Sequence, residues 1–155
     1  DDVLLVGEAD IEKAIVMLLE VEKTVVEGAG AAGLAAVLAH PRHFAGKRVG
    51  LVLSGGNIDP LMLSDIVQRS LARSHRLARL AIGARDIPGS LARIATILGD
   101  QGANIEEVTH QRAFADLPVR YTRIEVVVST RGDAHVREII AALDAAGFTS
   151  RLVGP

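Results

Sequence analysis

Chemistry in this 155-residue chain concentrates first at Ser54-Gly55-Gly56-Asn57. The run ahead of it, Gly50-Leu51-Val52-Leu53, is of the kind that forms a buried strand. A hydroxyl at the carboxyl end of such a strand, before two glycines, is where open α/β folds place small molecules. Taken alone, the tetrapeptide reads more readily as an ordinary strand-to-helix turn. A second stretch, Glu27-Gly28-Ala29-Gly30-Ala31-Ala32-Gly33, matches G-x-G-x-x-G. Dinucleotide binding would need an acidic residue about 20 positions on, at the end of the next strand. That position holds Leu53-Ser54, and Glu27 would face a pyrophosphate unfavourably. Close packing of an Ala-rich helix is the better reading. His40 and His43 could share a metal on a helix, but Pro41 argues against one and no third ligand is near, so no metal site is expected. Glu106 and Glu107 are strand neighbours pointing to opposite faces, which does not make an acid/base pair. His75, His110 and His135 read as isolated.

Composition narrows the function classes. Aromatic residues make up 3% of the chain and Trp is absent, which disfavours base-stacking nucleic-acid modules. Seventeen basic and 19 acidic residues are interspersed, for a net charge of -2, and no basic tract stands out. Without cysteine there is neither a disulfide framework nor a thiolate metal site, which fits a cytoplasmic protein. No apolar run has membrane-spanning length. The chain opens on Asp-Asp rather than Met, as a piece of a longer protein would.

The elements that must position these residues differ between the halves. Residues 3–6 form an apolar strand candidate. Residues 10–22 read as a helix capped by Asp10, with Ile11, Ile15, Leu18 and Leu19 on one face and Glu12 on the other side. Residues 24–26 are a short β-branched run, and residues 34–39 continue as an Ala-rich helix. Asp59-Pro60 opens a further helix with Leu61, Leu63, Ile66, Val67 and Leu71 as its apolar face. From Leu77 the pattern becomes βαββαβ: a strand around Leu80, Ile82 and Ala84; a helix carrying Leu91, Ile94 and Leu98; a strand over 103–114; a turn at 115–118; a strand over 123–131; a helix capped by Asp133; and a strand over 148–153. That order is the ferredoxin-like split motif, able to fold by itself.

In order and separation, TVVEGAGAAGLAAVL (24–38) and GKRVGLVLSGGNID (46–59) resemble the carboxyl-terminal part of the catalytic domain of threonine dehydratases, also called threonine ammonia-lyases. These are fold-type II pyridoxal-phosphate enzymes. The resemblance implies that Ser54 hydrogen-bonds the pyridine nitrogen of pyridoxal phosphate, that Gly55 and Gly56 let backbone lie near the ring, and that Glu27 lies near the pocket. A hydroxyl cannot protonate a pyridine as an aspartate does, which suits loss of a β-hydroxyl over a long-lived carbanion. The family converts threonine to 2-oxobutanoate and ammonia. Lys13, Lys23 and Lys47 all lie outside the family's Schiff-base context, Ser-x-Lys-x-Arg-Gly-Ala, and its substrate loop and phosphate cradle are not in this sequence. The chain alone is therefore expected to be inactive.

Further on, Asp86-Ile87-Pro88-Gly89-Ser90-Leu91 and Gly102-Ala103-Asn104-Ile105 resemble ACT domains, the amino-acid-sensing modules of metabolic enzymes. By themselves these segments read as a helix start and a turn residue. The resemblance implies an effector site built from Pro88, Gly89, Ser90, Leu91, Asn104 and Ile105, at an interface between two ACT domains, with isoleucine or valine as ligand. The fold class expected is α/β: a partial fold-type II pyridoxal-phosphate-enzyme segment over residues 1–75, then a ferredoxin-like ACT domain over 76–155. Threonine is the expected substrate of the intact enzyme, and a homo-oligomer formed through ACT pairing its expected state. The alternative is a free-standing amino-acid-binding module without catalysis. Neither nucleic acid nor membrane is an expected partner.

Overall fold

The computed structural model describes residues 2–111 and 121–154. The chain divides into two compact units, residues 1–70 and 71–155.

The first unit is helical. Helix α1 spans Glu8–Met17, followed by a π-helical turn, Leu18–Glu22, that ends with Lys23 in the left-handed region. Gly7, not Asp10, is the N-cap. Asp10 sits at the third helical position, and its carboxylate accepts from the Gly7 N–H at 3.2 Å. Helix α2 (Gly28–Ala39) starts at the first glycine of the Gly-rich stretch, six residues earlier than expected. The one-turn helix α3 (Pro41–Phe44) forms, contrary to expectation, because Pro41 occupies the first position, where its missing N–H costs nothing. Helix α4 (Pro60–Arg73) is capped by Asp59, whose carboxylate accepts from the N–H groups of Leu61 and Met62 at 2.8 and 3.1 Å. Ala14, Ile15, Val16, Leu18, Val26, Ala31, Ala35 and Ile66 form the core. Glu12, expected on the polar side, is buried and its carboxylate meets Arg69 at 2.8 Å. Leu61, expected on the apolar face of α4, is 78% exposed.

The apolar runs at 3–6, 24–26 and 49–53 are not strands. A strand needs a hydrogen-bonded neighbour, and the described residues of this unit offer these runs none. Val52 is accordingly 85% exposed, against the expectation of a buried strand.

The second unit has the expected βαββαβ order: β1 (Leu77–Arg85), α5 (Ser90–Asp100), β2 (Asn104–Gln111), β3 (Tyr121–Ser129), α6 (Asp133–Ala145) and β4 (Thr149–Val153). The strands make an antiparallel sheet in the order β2-β3-β1-β4. Alternation on β1 and β3 points Leu80, Ile82, Ile124, Val126 and Val128 to one face, where Ile94, Leu98, Val136, Ile139 and Leu143 of the two helices cover them. Burying each such side chain stabilises by about 1.5–3 kcal/mol. Strand β3 lies two residues earlier than expected. The expected part of β2 beyond 111 and the turn at 115–118 lie outside the described residues. Gly132 is the N-cap of α6, so Asp133 is its first helical residue, not its cap. A bulge between Ile105 and Glu107 inserts Glu106 as an extra residue in β2.

Candidate functional site

Ser54 is placed by the contact between the start of α2 and residues 54–56. A Cβ added to Gly30 would stand 2.2 Å from the Ser54 carbonyl oxygen and 2.5 Å from Val26 Cγ1, so only glycine lets the helix approach this closely. The Glu27 N–H donates to the Gly55 carbonyl at 3.1 Å. Gly55 has φ +77°, and a Cβ there would lie 2.4 Å from Glu27 Oε1. A Cβ on Gly56 would lie 3.1 Å from the Val25 carbonyl oxygen. Glu27, Ser54, Gly55 and Gly56 therefore converge, with 54–56 exposed. The Gly-rich fingerprint serves close packing, as expected. The patch carries a serine, a carboxylate beside Gly55 and close-packed glycine backbone.

The second candidate site is the turn from β1 into α5. Gly89 is the N-cap of α5 with φ +89°; an added Cβ would meet open space, so conformation and not crowding demands glycine. The Ser90 hydroxyl donates to the Arg85 carbonyl at 2.8 Å, and the Ile87 N–H donates to the same oxygen at 2.9 Å. Ser90 thus shapes the turn from inside. Ile87 and Leu91 are 58% and 42% exposed beside it. A cavity of about 450 Å³ opens here, lined by residues 85–91 together with His110, Thr122 and Ile124. His110 Nε2 shares a hydrogen bond of 2.9 Å with Thr122 Oγ1. Thr122 gives no signal in the sequence, and His110 reads there as isolated. The bulge at Glu106 breaks the alternation that would have shown His110 facing the same side as Thr122.

Asn104 and Ile105 do not reach this turn in the same chain. Asn104 pairs with Ser129, which pairs with Leu77 at the start of β1, whereas the turn follows Arg85 at its end. The eight-residue offset separates them by roughly 26 Å at about 3.3 Å per residue. Asn104 Nδ2 donates to Glu106 Oε1 at 3.0 Å, and Ser129 Oγ donates to the same oxygen at 2.5 Å. These two bonds, Ser129's first, hold the Glu106 carboxyl below its ordinary value. Ile105 packs against the core.

The three histidines of this unit all have partners, contrary to expectation. His75, at φ +52°, is hydrogen-bonded through Nδ1 to the Asp133 carboxylate, which lowers that carboxyl's pKa. The buried His135 accepts from the Arg131 N–H at Nδ1 (3.0 Å) and donates from Nε2 to the Gln101 carbonyl (2.8 Å), which fixes its tautomer. Among the described residues no group of three His, Cys, Asp or Glu could hold a metal ion, and no helix is long and apolar enough to cross a membrane. His40 instead bonds the Leu5 carbonyl through Nε2 at 2.9 Å.

Residues 78–145 match the family described as ACT domain. The chain is 44% identical to an L-threonine ammonia-lyase of Geobacter sulfurreducens over 96% of its own length and 37% of that protein's. It is 40% identical to an L-threonine ammonia-lyase of Thermotoga maritima, over 99% of the chain and 38% of the relative. A biosynthetic L-threonine dehydratase of Haemophilus influenzae is 30% identical over 96% of the chain and 28% of its own length. The chain thus spans less than two fifths of each of these relatives.

Proposed function

We infer that residues 78–145, which are an ACT domain, sense an amino acid for a threonine ammonia-lyase of which this chain is the carboxyl-terminal portion. The carrying observation is 44% identity to such a lyase, running through both units without being confined to the ACT domain. That extent favours a lyase portion over a free-standing amino-acid-binding module. On this reading residues 1–75 are the end of the catalytic domain and 76–155 the regulatory domain, and the intact protein is cytoplasmic.

Pyridoxal phosphate, the family's cofactor, would supply an electron-withdrawing ring for loss of the substrate's β-hydroxyl. Ser54 would bind its ring nitrogen, Gly55 and Gly56 would let the ring lie close to backbone, and the Glu27 carboxylate would border the pocket.

The effector is isoleucine or valine. The N–H groups opening α5 after Gly89 would take its carboxylate. Ile87 and Leu91 offer aliphatic surface to its side chain, and Pro88 stiffens the turn between them. Asn104 belongs to the opposite end of the sheet, so it can contribute only from a second ACT domain. Strand β2 is an edge strand, and antiparallel pairing of two β2 edges would bring one chain's Asn104 toward the other's His110 and its β1–α5 turn. The reading therefore includes a homo-oligomer formed through ACT domains.

Calorimetric titration of the chain with isoleucine, valine, threonine and serine, with sedimentation in parallel, tests it. Heat from a branched-chain amino acid and ligand-dependent association are expected, both diminished in Asn104→Ala and Gly89→Val. No heat and no association with any of the four would leave the ACT domain a purely structural module.

A further inference from the structure

We propose a second binding site in this unit, for a small polyanion, at the end of the sheet where the open face meets the start of α5 and the segment after α6. A cavity of about 590 Å³ lies where β4 begins, and its walls carry Arg85, Arg93, Arg123 and Arg151. Among the described residues no carboxylate lines it. The sheet register explains how the arginines converge. On β1, Ala81 and Gly83 point to the open face. Gly83 is paired with Arg123 of β3 on one side and Thr149 of β4 on the other, and Ala81 is paired with Arg151. Two arginines thus rise from the strands flanking β1, over a floor made of an alanine and a glycine. Arg85 stands two residues further along the same face of β1. Arg93 reaches the rim from α5, its guanidinium 5.4 Å above the Phe148 ring and bonded to the Ala146 carbonyl at 3.3 Å. The nearest acidic residue by register, Glu125, is paired with Ala81 and does not line the cavity.

Four guanidinium groups gathered in a protein of net charge -2 repel one another unless an anion joins them. Their flat two-pronged donor geometry fits carboxylate and phosphate oxygens, and the volume admits a metabolite-sized ligand. One charge could be met by one or two arginines; four arginines around a small-residue floor call for two or more oxyanions on one molecule. The ligand class is therefore a phosphorylated or polycarboxylate metabolite. This site is separate from the Asn104 side of the sheet. It shares only Arg85, Ile87 and Ser90 with the cavity beside the α5 turn.

Pyrophosphate and citrate, with acetate as a single-charge comparison, are titrated by calorimetry into the chain and into Arg123→Gln/Arg151→Gln. These two arginines do not line the turn cavity. Arg79→Gln is the charge control, because Arg79 is on β1, on the same face of the sheet as Arg123 and Arg151, but outside the cavity. Saturable binding of pyrophosphate or citrate is expected, acetate binding at least about tenfold weaker, and a loss of about tenfold or more in the double variant. Arg79→Gln should change affinity by less than about twofold, as for a remote, screened charge. Preference for pyrophosphate identifies a phosphorylated ligand, and preference for citrate a polycarboxylate. Circular dichroism of the double variant verifies its fold. Should it be unfolded, Arg151→Gln alone is read by the same criteria. Absence of saturable binding, or equal losses in Arg79→Gln and the cavity variants, overturns the proposal.

Discussion

Asp133 and Glu106 are held below their usual pKa values, chiefly by hydrogen bonds from His75 and from Ser129 respectively. A carboxylate whose folded pKa is depressed adds stability above its unfolded pKa, about 3.9 for Asp and 4.3 for Glu, and loses it as pH falls through the folded value. Urea unfolding of the chain between pH 2 and 6 should show stability falling below about pH 4. Asp133→Asn and Glu106→Gln should each start from lower stability at pH 6 and show a shallower fall; an unchanged acid limb in both would mean the bonds are not formed. At Ser54 the prediction belongs to the intact enzyme. Ser54→Ala should weaken cofactor binding by about 1–3 kcal/mol, the cost of an unpaired ring nitrogen, and slow turnover while the fold persists. Cofactor titration and threonine turnover check this.

Helix α2 makes the sharpest element-scale contrast. In a helix, Gly→Ala ordinarily stabilises by about 1 kcal/mol. Gly30→Ala should destabilise the first unit by about 1–3 kcal/mol instead, because its Cβ would collide with the Ser54 backbone. At Gly33 the obstacle is Leu51 Cδ2 at 3.3 Å, the end of a flexible side chain, so Gly33→Ala should be neutral or stabilising. Chemical denaturation of the two variants side by side is the measurement. The amphipathic elements, α5, β3 and α6, were legible because periodicity records burial directly. The runs at 3–6 and 49–53 were not, since an apolar run implies a strand only where a neighbour supplies its hydrogen bonds. The convergence of Glu27 on Ser54 came through family resemblance, while the crowding at Gly30 that enforces it is a tertiary fact. The remoteness of Asn104 from Gly89 was open to deduction. A β–α–β crossover makes β1 and β2 parallel, so the start of β2 lies far from the end of β1.

At the scale of the molecule, the two units divide the labour unevenly. The second has a closed core between sheet and helices. The first leaves Val3, Leu5, Val52 and Leu61 at 78–89% exposure. Its lysines, Lys13, Lys23 and Lys47, all lie within residues 1–47, and none has the sequence surroundings of a Schiff-base lysine. The chain by itself is accordingly expected to turn over no threonine. Borohydride reduction with pyridoxal phosphate, followed by peptide mapping, should label no single lysine stoichiometrically. One fully labelled site accompanied by threonine turnover would contradict this.

The extra residue in β2 bears on which changes of length the strand can survive. Deleting a residue within a strand usually inverts every side chain beyond it, exchanging core for surface. At Glu106 the reverse is expected. Removing it takes out the residue that β3 leaves unmatched, so Ile105 stays opposite Val128 and Glu107 opposite Val127, with His110 still beside Thr122. Loss of the bonds from Asn104 and Ser129, both at the exposed surface, should then be the main cost, and the sheet should remain folded. Deleting Val108 instead should unfold the sheet, and thermal melts of the two shortened chains would show the difference. Insertions and deletions among related sequences should therefore gather at this one position of β2.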